Sequence, residues 1–198
     1  MHHCQAWLHY ADAQEKFEQW AQHGMGEGDI KRWGLGFCDA CPVFPQHASL
    51  TIPVFYHGQL FDIRHRLIDG DGPRYCSHMP GLTPSFFNLD SVAGDKTVYI
   101  TEGEKKVISL ARTGLRVVVG VPGQAFYKRL AQIFERILEP NQEVVFIPDP
   151  GTVEIVAEYA QKIKNKTYVV EGWLKPDDLL AEIGIPAFHR FLEMRRPL

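Results

Sequence analysis

The chain has 198 residues, of which 45% are hydrophobic and 23% are charged, the composition of an ordinary globular protein. This length fits one domain, or one domain with a smaller one attached. The net charge of −3, from 21 basic and 24 acidic residues, excludes a protein that coats duplex DNA by bulk positive charge, because neutralising phosphates needs a surplus of lysine and arginine.

The first half of the chain, residues 1–95, is predicted to form a smaller α+β lobe. Apolar side chains recur at spacings of three and four over residues 11–23, which is typical of an amphipathic helix. Residues 49–56 and 59–67 have strand character and are joined by a turn containing Gly58, so we expect a β-hairpin there. The second of these strands alternates cleanly between its two faces.

From residue 96 onward the sequence alternates between strand-like and helix-like segments. This alternation predicts an α/β fold, with a parallel sheet covered by helices on both faces over residues 96–198. The predicted strands are residues 97–101, 116–121, 144–147 and 167–170, and the predicted helices are residues 104–113, 124–138, 152–164 and 177–183.

Two carboxylates stand where predicted strands end. Glu102 follows the strand at 97–101 beside Gly103, and Asp149 follows the strand at 144–147. Carboxyl ends of parallel strands converge on one crevice, where open α/β sheets place their ligands. Carboxylates suit Mg²⁺ shared with substrate phosphates, so the pattern predicts phosphate chemistry. The alternatives are a helix N-terminal acid for Glu102 and a turn residue for Asp149.

A set of short segments stands in a characteristic order along the chain. The set comprises residues 24–37, 50–54, 63–66, 74–75 and 85–90, then Thr101-Glu-Gly-Glu104 and residues 120–123. In their order and spacing these segments resemble the Toprim fold and, within it, the catalytic core of bacterial and phage-type DNA primases. The resemblance covers most of the chain.

This resemblance implies an acidic metal site. The family holds catalytic Mg²⁺, or Mn²⁺, with a glutamate and an Asp-x-Asp pair, which match Glu102 and Asp149 here. The second aspartate is replaced by Gly151, which removes one ligand and one negative charge. Asp177 and Asp178 resemble the acidic segment that ends many phage-type Toprim domains and are candidate further ligands. A helix cap is the alternative for both.

Arginines in the first lobe are the candidates for contacts to nucleic-acid phosphates. Arg64 and Arg66 share one face of a predicted strand, and Arg74 follows. Arginine grips phosphates bidentately, so these side chains would form a groove for single-stranded DNA. The alternative is a salt-bridged sheet face that includes Asp62.

Two lysines and two aromatic residues add to this set. Lys105 and Lys106 follow Glu102 and would meet phosphates, and a solvated first helical turn is the alternative. Tyr56 and Phe61 are expected to pack in the core, and stacking on bases is the alternative for both.

The cysteines are candidate zinc ligands. Cys38 and Cys41 have half the spacing of a zinc site, and Cys76 with His78 would supply the other half. That second spacing is unusual, and reduced thiols are the default in an intracellular protein. The start of the chain shows no secretory pattern and no apolar run is long enough for a membrane span, so we expect a cytoplasmic protein.

Three functions remain as hypotheses. The first is an enzyme, a primase-like nucleotidyltransferase that uses Mg²⁺ and nucleoside triphosphates to make RNA primers on single-stranded DNA in phage-type or plasmid-type replication. The sequence has no Gly-x-x-x-x-Gly-Lys-Ser/Thr loop, so a replicative helicase would be a separate partner. The second is a catalytically impaired Toprim module that binds nucleic acid, and the third is a Toprim nuclease.

Overall fold

The computed structural model describes residues 14–38, 41, 47–68, 75–79 and 81–198. Arg74 therefore lies outside the described residues. The chain divides into two compact units, Met1–Pro84 and Ser85–Leu198. The domain boundary expected from the sequence, between residues 95 and 96, falls inside the second unit and remains a prediction of domain organisation.

Among its described residues, the first unit has two short helices and a four-stranded antiparallel sheet in the order β1-β2-β3-β4. Trp20 is buried, and its Nε1 donates a hydrogen bond of 2.9 Å to the carbonyl oxygen of Gly36, which ties the first helix to the first strand. The elements are α1 (Gln14–Ala21), α2 (Glu27–Trp33), β1 (Gly36–Cys38), β2 (Ser49–Tyr56), β3 (Gln59–Leu67) and β4 (Tyr75–Ser77).

The predicted hairpin in this sheet is present. His57 and Gly58 form the turn between β2 and β3 with φ values of 50° and 70°, as expected for the primed turns that suit the twist of paired strands. The pairing shifts by one position between Val54 and Phe55. This irregularity precedes the exposed end of the hairpin.

The second unit has the predicted α/β architecture, in which a mainly parallel sheet is flanked by helices. Its strand order is β6-β5-β7-β8-β9; β5 to β8 pair in parallel and β9 is antiparallel. The elements are β5 (Thr97–Glu102), α3 (Glu104–Ala111), β6 (Val118–Val121), α4 (Tyr127–Ile137), β7 (Glu143–Phe146), α5 (Val153–Ala160), β8 (Lys166–Val169), α6 (Pro176–Glu193) and β9 (Arg196–Pro197), with 3₁₀ helices at Leu89–Gly94 and Gln124–Phe126.

The core of this unit lies between the sheet and its helices. Ile100 and Phe146, on the central strands, and Phe134, on α4, are buried in one apolar cluster. Apolar residues on consecutive positions of β5 and β7 reflect the burial of parallel strands on both faces. In the described part of the chain no helix is long and apolar enough to cross a membrane.

One element differs from the sequence prediction. The helix predicted over residues 177–183 continues to Glu193, but Gly184 has a non-helical backbone (φ 74°, ψ 166°) and breaks it into two segments. An isolated bridge also joins Phe87 to Gly120, and the N–H group of each donates to the other's carbonyl oxygen at 2.9 Å.

Gly120 packs tightly beneath the loop that follows β5. A Cβ atom at this position would lie 3.0 Å from the Val107 side chain, 3.1 Å from the Gly103 carbonyl oxygen and 3.2 Å from Phe87. Gly120 pairs with Thr101, directly before Glu102. The absent side chain therefore lets β6 approach the turn that presents Glu102.

Candidate functional site

The sheet register brings Glu102 and Asp149 to the same edge. β5 and β7 are adjacent parallel strands in which Ile100 pairs with Phe146. The backbone pairing continues past β7, because the Ile147 N–H donates to the Ile100 carbonyl oxygen at 2.8 Å. Glu102 ends β5, and Asp149 follows Ile147 by two positions. Both carboxylates thus stand at the carboxyl edge of the sheet, as predicted.

Glu102 lies close enough to Asp149 for the charge of Asp149 to act on it. Burial raises the pKa of the Glu102 carboxyl above its usual value, and repulsion by the Asp149 carboxylate raises it further. Lys106 and hydrogen bonds from Tyr127 and Thr152 oppose this pKa shift. A cation bound between two half-buried carboxylates would reduce the repulsion between them.

Lys106, in the first turn of α3, is paired with Asp149. Its Nζ lies 2.7 Å from Oδ1 and 2.9 Å from Oδ2, with hydrogen-bond geometry at Oδ2. Both side chains are largely buried, at 13% and 19% exposure, and neighbouring Glu104 is buried too. The first turn of this helix is therefore not the solvated turn considered as an alternative.

Lys105 extends from the same turn to a different acid. Its Nζ lies 3.2 Å from Oδ2 of Asp177 in the first turn of α6, whereas Asp178 is exposed. Within the described residues, these two aspartates form no compact group of ligand atoms with Glu102 and Asp149. A metal-binding role for Asp177 and Asp178 stays a prediction.

Gly151 occupies the position of the second aspartate of the Asp-x-Asp pattern. Its φ of 79° is in the left-handed region, and nothing lies within 4 Å of the place where a Cβ would stand. The backbone conformation is therefore the obstacle to a carboxylate here, since space is available.

Two further residues near Glu102 and Asp149 were not identified as site residues from the sequence. Tyr127 is buried, and its hydroxyl donates to Oε1 of Glu102 at 3.5 Å. Burial, with Glu102 and Asp149 nearby, raises the pKa of Tyr127 well above its usual value, so the phenol stays a neutral donor. Thr152 donates through Oγ1 to the Asp149 carbonyl oxygen at 2.8 Å. Both are polar residues at helix starts, a position too common to indicate a site.

The two arginines of β3 are less exposed to solvent than contacts to nucleic-acid phosphates would require. Arg64 is 5% exposed, and its Nε lies 4.0 Å from Oδ2 of buried Asp62, as in the salt-bridged alternative. Burial raises the pKa of Asp62, while a hydrogen bond from Ser77 and the Arg64 charge oppose that shift. Arg66 is half-buried and donates through Nη1 to His23 Nε2 at 2.6 Å. Their role as phosphate contacts stays a prediction.

Tyr56 and Phe61 lie at the exposed end of the β2–β3 hairpin. Tyr56 is 47% exposed, Phe61 is 39% exposed and neighbouring Phe55 is 42% exposed. The Tyr56 and Phe61 rings meet edge to face with centroids 6.4 Å apart. The prediction that both pack in the core is therefore wrong.

Part of the predicted zinc set is brought together with a residue that the sequence analysis missed. Cys41 Sγ lies 3.8 Å from His65 Nε2 and 3.7 Å from His78 Nδ1, and these two nitrogens are 3.0 Å apart. Burial, with His78 adjacent, lowers the pKa of His65 to about 4. Cys38 is buried and Cys76 is half-buried, and neither belongs to this compact group.

No protein-family model and no curated protein sequence matches this chain. Solved structures do match it. The structure of the Aquifex aeolicus primase (zinc-binding and RNA polymerase domains) superposes with a TM-score of 0.74 at 14% identity, covering 98% of this chain and 60% of that one.

Two further matches come from structures with DNA. The DnaG primase catalytic domain bound to single-stranded DNA superposes with a TM-score of 0.75 at 15% identity, covering 96% of this chain and 79% of that one. The RNA polymerase domain of Mycobacterium tuberculosis primase DnaG, in complex with a double-stranded DNA oligomer with a 6-nucleotide overhang, has a TM-score of 0.75 at 16% identity, covering 97% and 78%. The chain thus has the fold of the bacterial DnaG primase catalytic core, as the sequence resemblance predicted.

Proposed function

We propose that this protein is a primase-type nucleotidyltransferase that makes short RNA primers on single-stranded DNA in phage-type or plasmid-type replication. A shared fold does not by itself imply a shared function. The observation that carries the proposal is the meeting of Glu102 and Asp149 at the carboxyl ends of adjacent parallel strands, where such sheets bind their ligands.

The residues at this edge fit a magnesium ion. The repulsion between Glu102 and Asp149 is the kind that a dication removes. Oδ1 of Asp149 is buried, and the Lys106 ammonium lies 2.7 Å from it, so a bound dication would take over this oxygen from the ammonium. Mg²⁺, or Mn²⁺ in its place, needs only one or two carboxylates when phosphates and water complete its shell. Glu102 and Asp149 would hold the ion, which would supply Lewis-acid charge neutralisation to the reacting groups.

The protein's own side chains would position the reactants. Tyr127 donates to Glu102 and so orients that carboxylate. Lys106 balances Asp149 in the ligand-free arrangement, and its ammonium would turn to a triphosphate oxygen once a cation balances Asp149. Such positioning and charge compensation supply most of the rate in phosphoryl transfer.

The template would lie along the first unit. We keep Arg66 and Arg74 as its phosphate contacts and assign Arg64 to the support of the sheet, because Arg64 is buried beside Asp62. The nucleoside triphosphates would bind at the acidic edge. A separate replicative helicase is the expected partner, and the cytoplasm is the expected location.

Primer synthesis tests this proposal directly. The purified chain, given single-stranded template, ribonucleotides and Mg²⁺ or Mn²⁺, should make short oligoribonucleotides. We expect Glu102→Gln and Asp149→Asn each to reduce synthesis by about 100-fold or more, since the charge stabilisation supplied by a catalytic metal is worth several kcal/mol. Glu158→Gln is the matched control, because Glu158 is an exposed carboxylate on α5 that pairs with Lys162 across one helical turn.

The outcomes separate the hypotheses. Synthesis that is equal in the wild type and in Glu102→Gln would overturn the proposal. Binding of single strands without product from either protein would support the second function, a non-catalytic nucleic-acid-binding module. The observations that favour that module are the Lys106–Asp149 pair and the glycine at position 151. Degradation of labelled strands without added nucleotides would indicate a nuclease.

A further inference from the structure

Three ligand atoms converge in the first unit, at a place that the proposed polymerase chemistry does not use. Cys41 follows β1, His65 lies on β3 and His78 follows β4. Their Sγ, Nε2 and Nδ1 atoms all lie within 4.8 Å of one another. Cys41 and His65 are buried and His78 is partly buried, so the three side chains form a built site inside the unit.

The separations match the edges of a tetrahedron around zinc. Zn–S bonds of about 2.3 Å and Zn–N bonds of about 2.0–2.1 Å give ligand separations of about 3.6 Å for S–N and about 3.3 Å for N–N. The observed separations are 3.8 and 3.7 Å between Cys41 Sγ and the two nitrogens, and 3.0 Å between the nitrogens. One ion therefore fits among these atoms with shifts of a few tenths of an ångström.

A hydrogen bond behind His65 orients its ring for this role. Ser49 Oγ lies 2.8 Å from Nδ1 of His65, on the side of the ring away from Cys41. With Nδ1–H donating to that hydroxyl, the lone pair of Nε2 points into the group. Metal-binding histidines characteristically donate their other ring N–H to a neighbouring acceptor, which fixes the tautomer and the ring orientation.

We propose that Cys41, His65 and His78 bind one structural zinc ion. A thiolate with two imidazoles selects zinc over magnesium or calcium, which prefer oxygen ligands. The fourth position is open to water or to a flanking thiol. Cys76 pairs directly with His65 across β3 and β4, and Cys38 pairs with Ser49 across β1 and β2, so both thiols share the sheet face of the site.

The ion would join three points of the antiparallel sheet that lie far apart in the chain. It would fix the segment after β1 to β3 and to the end of β4. A buried site of this kind, closed when a flanking thiol takes the fourth position, would stabilise a small unit, because metal binding is coupled to folding. The proposal does not depend on primer synthesis, because none of its residues belongs to the acidic edge.

The test is the metal content of the full chain, expressed with zinc in the medium and purified without chelators. We expect one zinc ion per chain by elemental mass spectrometry. Cys41→Ser, His65→Gln and His78→Gln should each lower the content to the background of a zinc-free protein. His57→Asn is the matched control and should keep its zinc, because His57 is an exposed histidine in the turn of the same hairpin.

Cobalt substitution keeps the proposal testable if a variant does not fold, as circular dichroism would reveal. Wild-type protein stripped of zinc and given one equivalent of Co²⁺ should show tetrahedral cobalt absorption with a thiolate charge-transfer band. The His57→Asn protein should show the same band, and folded Cys41→Ser should lack it. A wild-type chain with neither zinc nor this band would overturn the proposal. Zinc retained in both histidine variants would do the same.

Discussion

Glu102 is held in an environment that disfavours its charge. Its pKa is raised by burial first and by Asp149 second, while Lys106, Tyr127 and Thr152 oppose the shift. A carboxyl whose folded pKa exceeds its unfolded value loses its contribution to stability as the pH rises through the interval between the two. Above that interval, the ionised side chain makes the folded state less stable than a neutral isostere would.

Glu102→Gln should therefore be more stable than the wild type at neutral pH, with chelator present to remove metal ions. Glutamine keeps the shape and avoids the repulsion by Asp149. The difference should vanish below the usual glutamate pKa of 4.5, where the wild-type carboxyl is protonated in both states. Urea midpoints between about pH 4 and about pH 8 check this. A stability difference that does not change over this range would contradict it.

Lys106 acts as an internal counter-ion for Asp149. Lys106→Met should destabilise the metal-free protein by about 2 kcal/mol, because it leaves a largely buried carboxylate without its charged partner. Mg²⁺ should restore much of the loss in this variant, since a dication would take the place of the ammonium. Denaturation midpoints with and without Mg²⁺ measure both effects. Lys162→Met, which breaks an exposed pair with Glu158, is the control that Mg²⁺ should leave unchanged.

Among single residues, those whose position follows from strand direction could be predicted from sequence. Glu102 and Asp149 were placed correctly at one edge of the sheet, because an acid that ends a parallel strand lies at its carboxyl edge. Tyr127 and His65 were missed because their roles depend on which side chains meet across the fold. Alternation assigns His65 to a face of β3, but it does not show that Cys41 reaches that face.

At the scale of elements, the loop after β7 explains the altered acidic motif. Gly151 has a φ of 79°, which costs an L-residue on the order of 1 kcal/mol. Gly151→Asp should therefore lower stability by about that amount and should strengthen Mg²⁺ binding, because the added carboxylate has open space. Gly151→Asn isolates the effect of charge, since asparagine has the same shape and tolerates this backbone region. Equal Mg²⁺ affinity in the two variants, by calorimetric titration, would contradict the prediction.

The β2–β3 hairpin presents its aromatic side chains to solvent. Tyr56 and Phe61 are exposed and touch edge to face, an arrangement on which unstacked bases can lie. Replacing either by alanine should weaken binding of single-stranded DNA by about 1–3 kcal/mol per lost base contact, with little change in salt dependence, because no phosphate contact is removed. Fluorescence anisotropy across a salt series measures both quantities. Trp173→Ala removes an exposed aromatic ring of the second unit and should leave the affinity unchanged.

Strands and helices with a clear hydrophobic pattern were predictable from the sequence, whereas very short elements were not. The strands at 97–101 and 144–147 were found within one or two residues, because apolar runs bounded by turns mark buried parallel strands. β9, at Arg196–Pro197, is too short to show any alternation. The sequence predicts that the helix after residue 176 stops near Gly184, and there the backbone does break, but the chain resumes its helix after Gly184 and continues to Glu193.

At the scale of the whole molecule, the fold is shared with proteins that are only 14–16% identical in sequence. Such divergence is expected, because a fold depends on the pattern of apolar and polar positions and on core volume more than on residue identity. The pattern fixed the order of strands and helices and so made the α/β architecture predictable. A pairing made through a single contact, such as that of Arg66 with His23, leaves no pattern of apolar and polar positions in the sequence.

The close approach at Gly120 places a steric limit at a position that has no reactive group. A single added methyl would press against the carbonyl oxygen of Gly103, the residue that follows Glu102 in the chain. A side chain there must push back Val107, this carbonyl oxygen or Phe87. A screen for inactivating mutations would therefore include substitutions of Gly120, a buried residue of the sheet, in which activity is lost through the added side-chain volume alone.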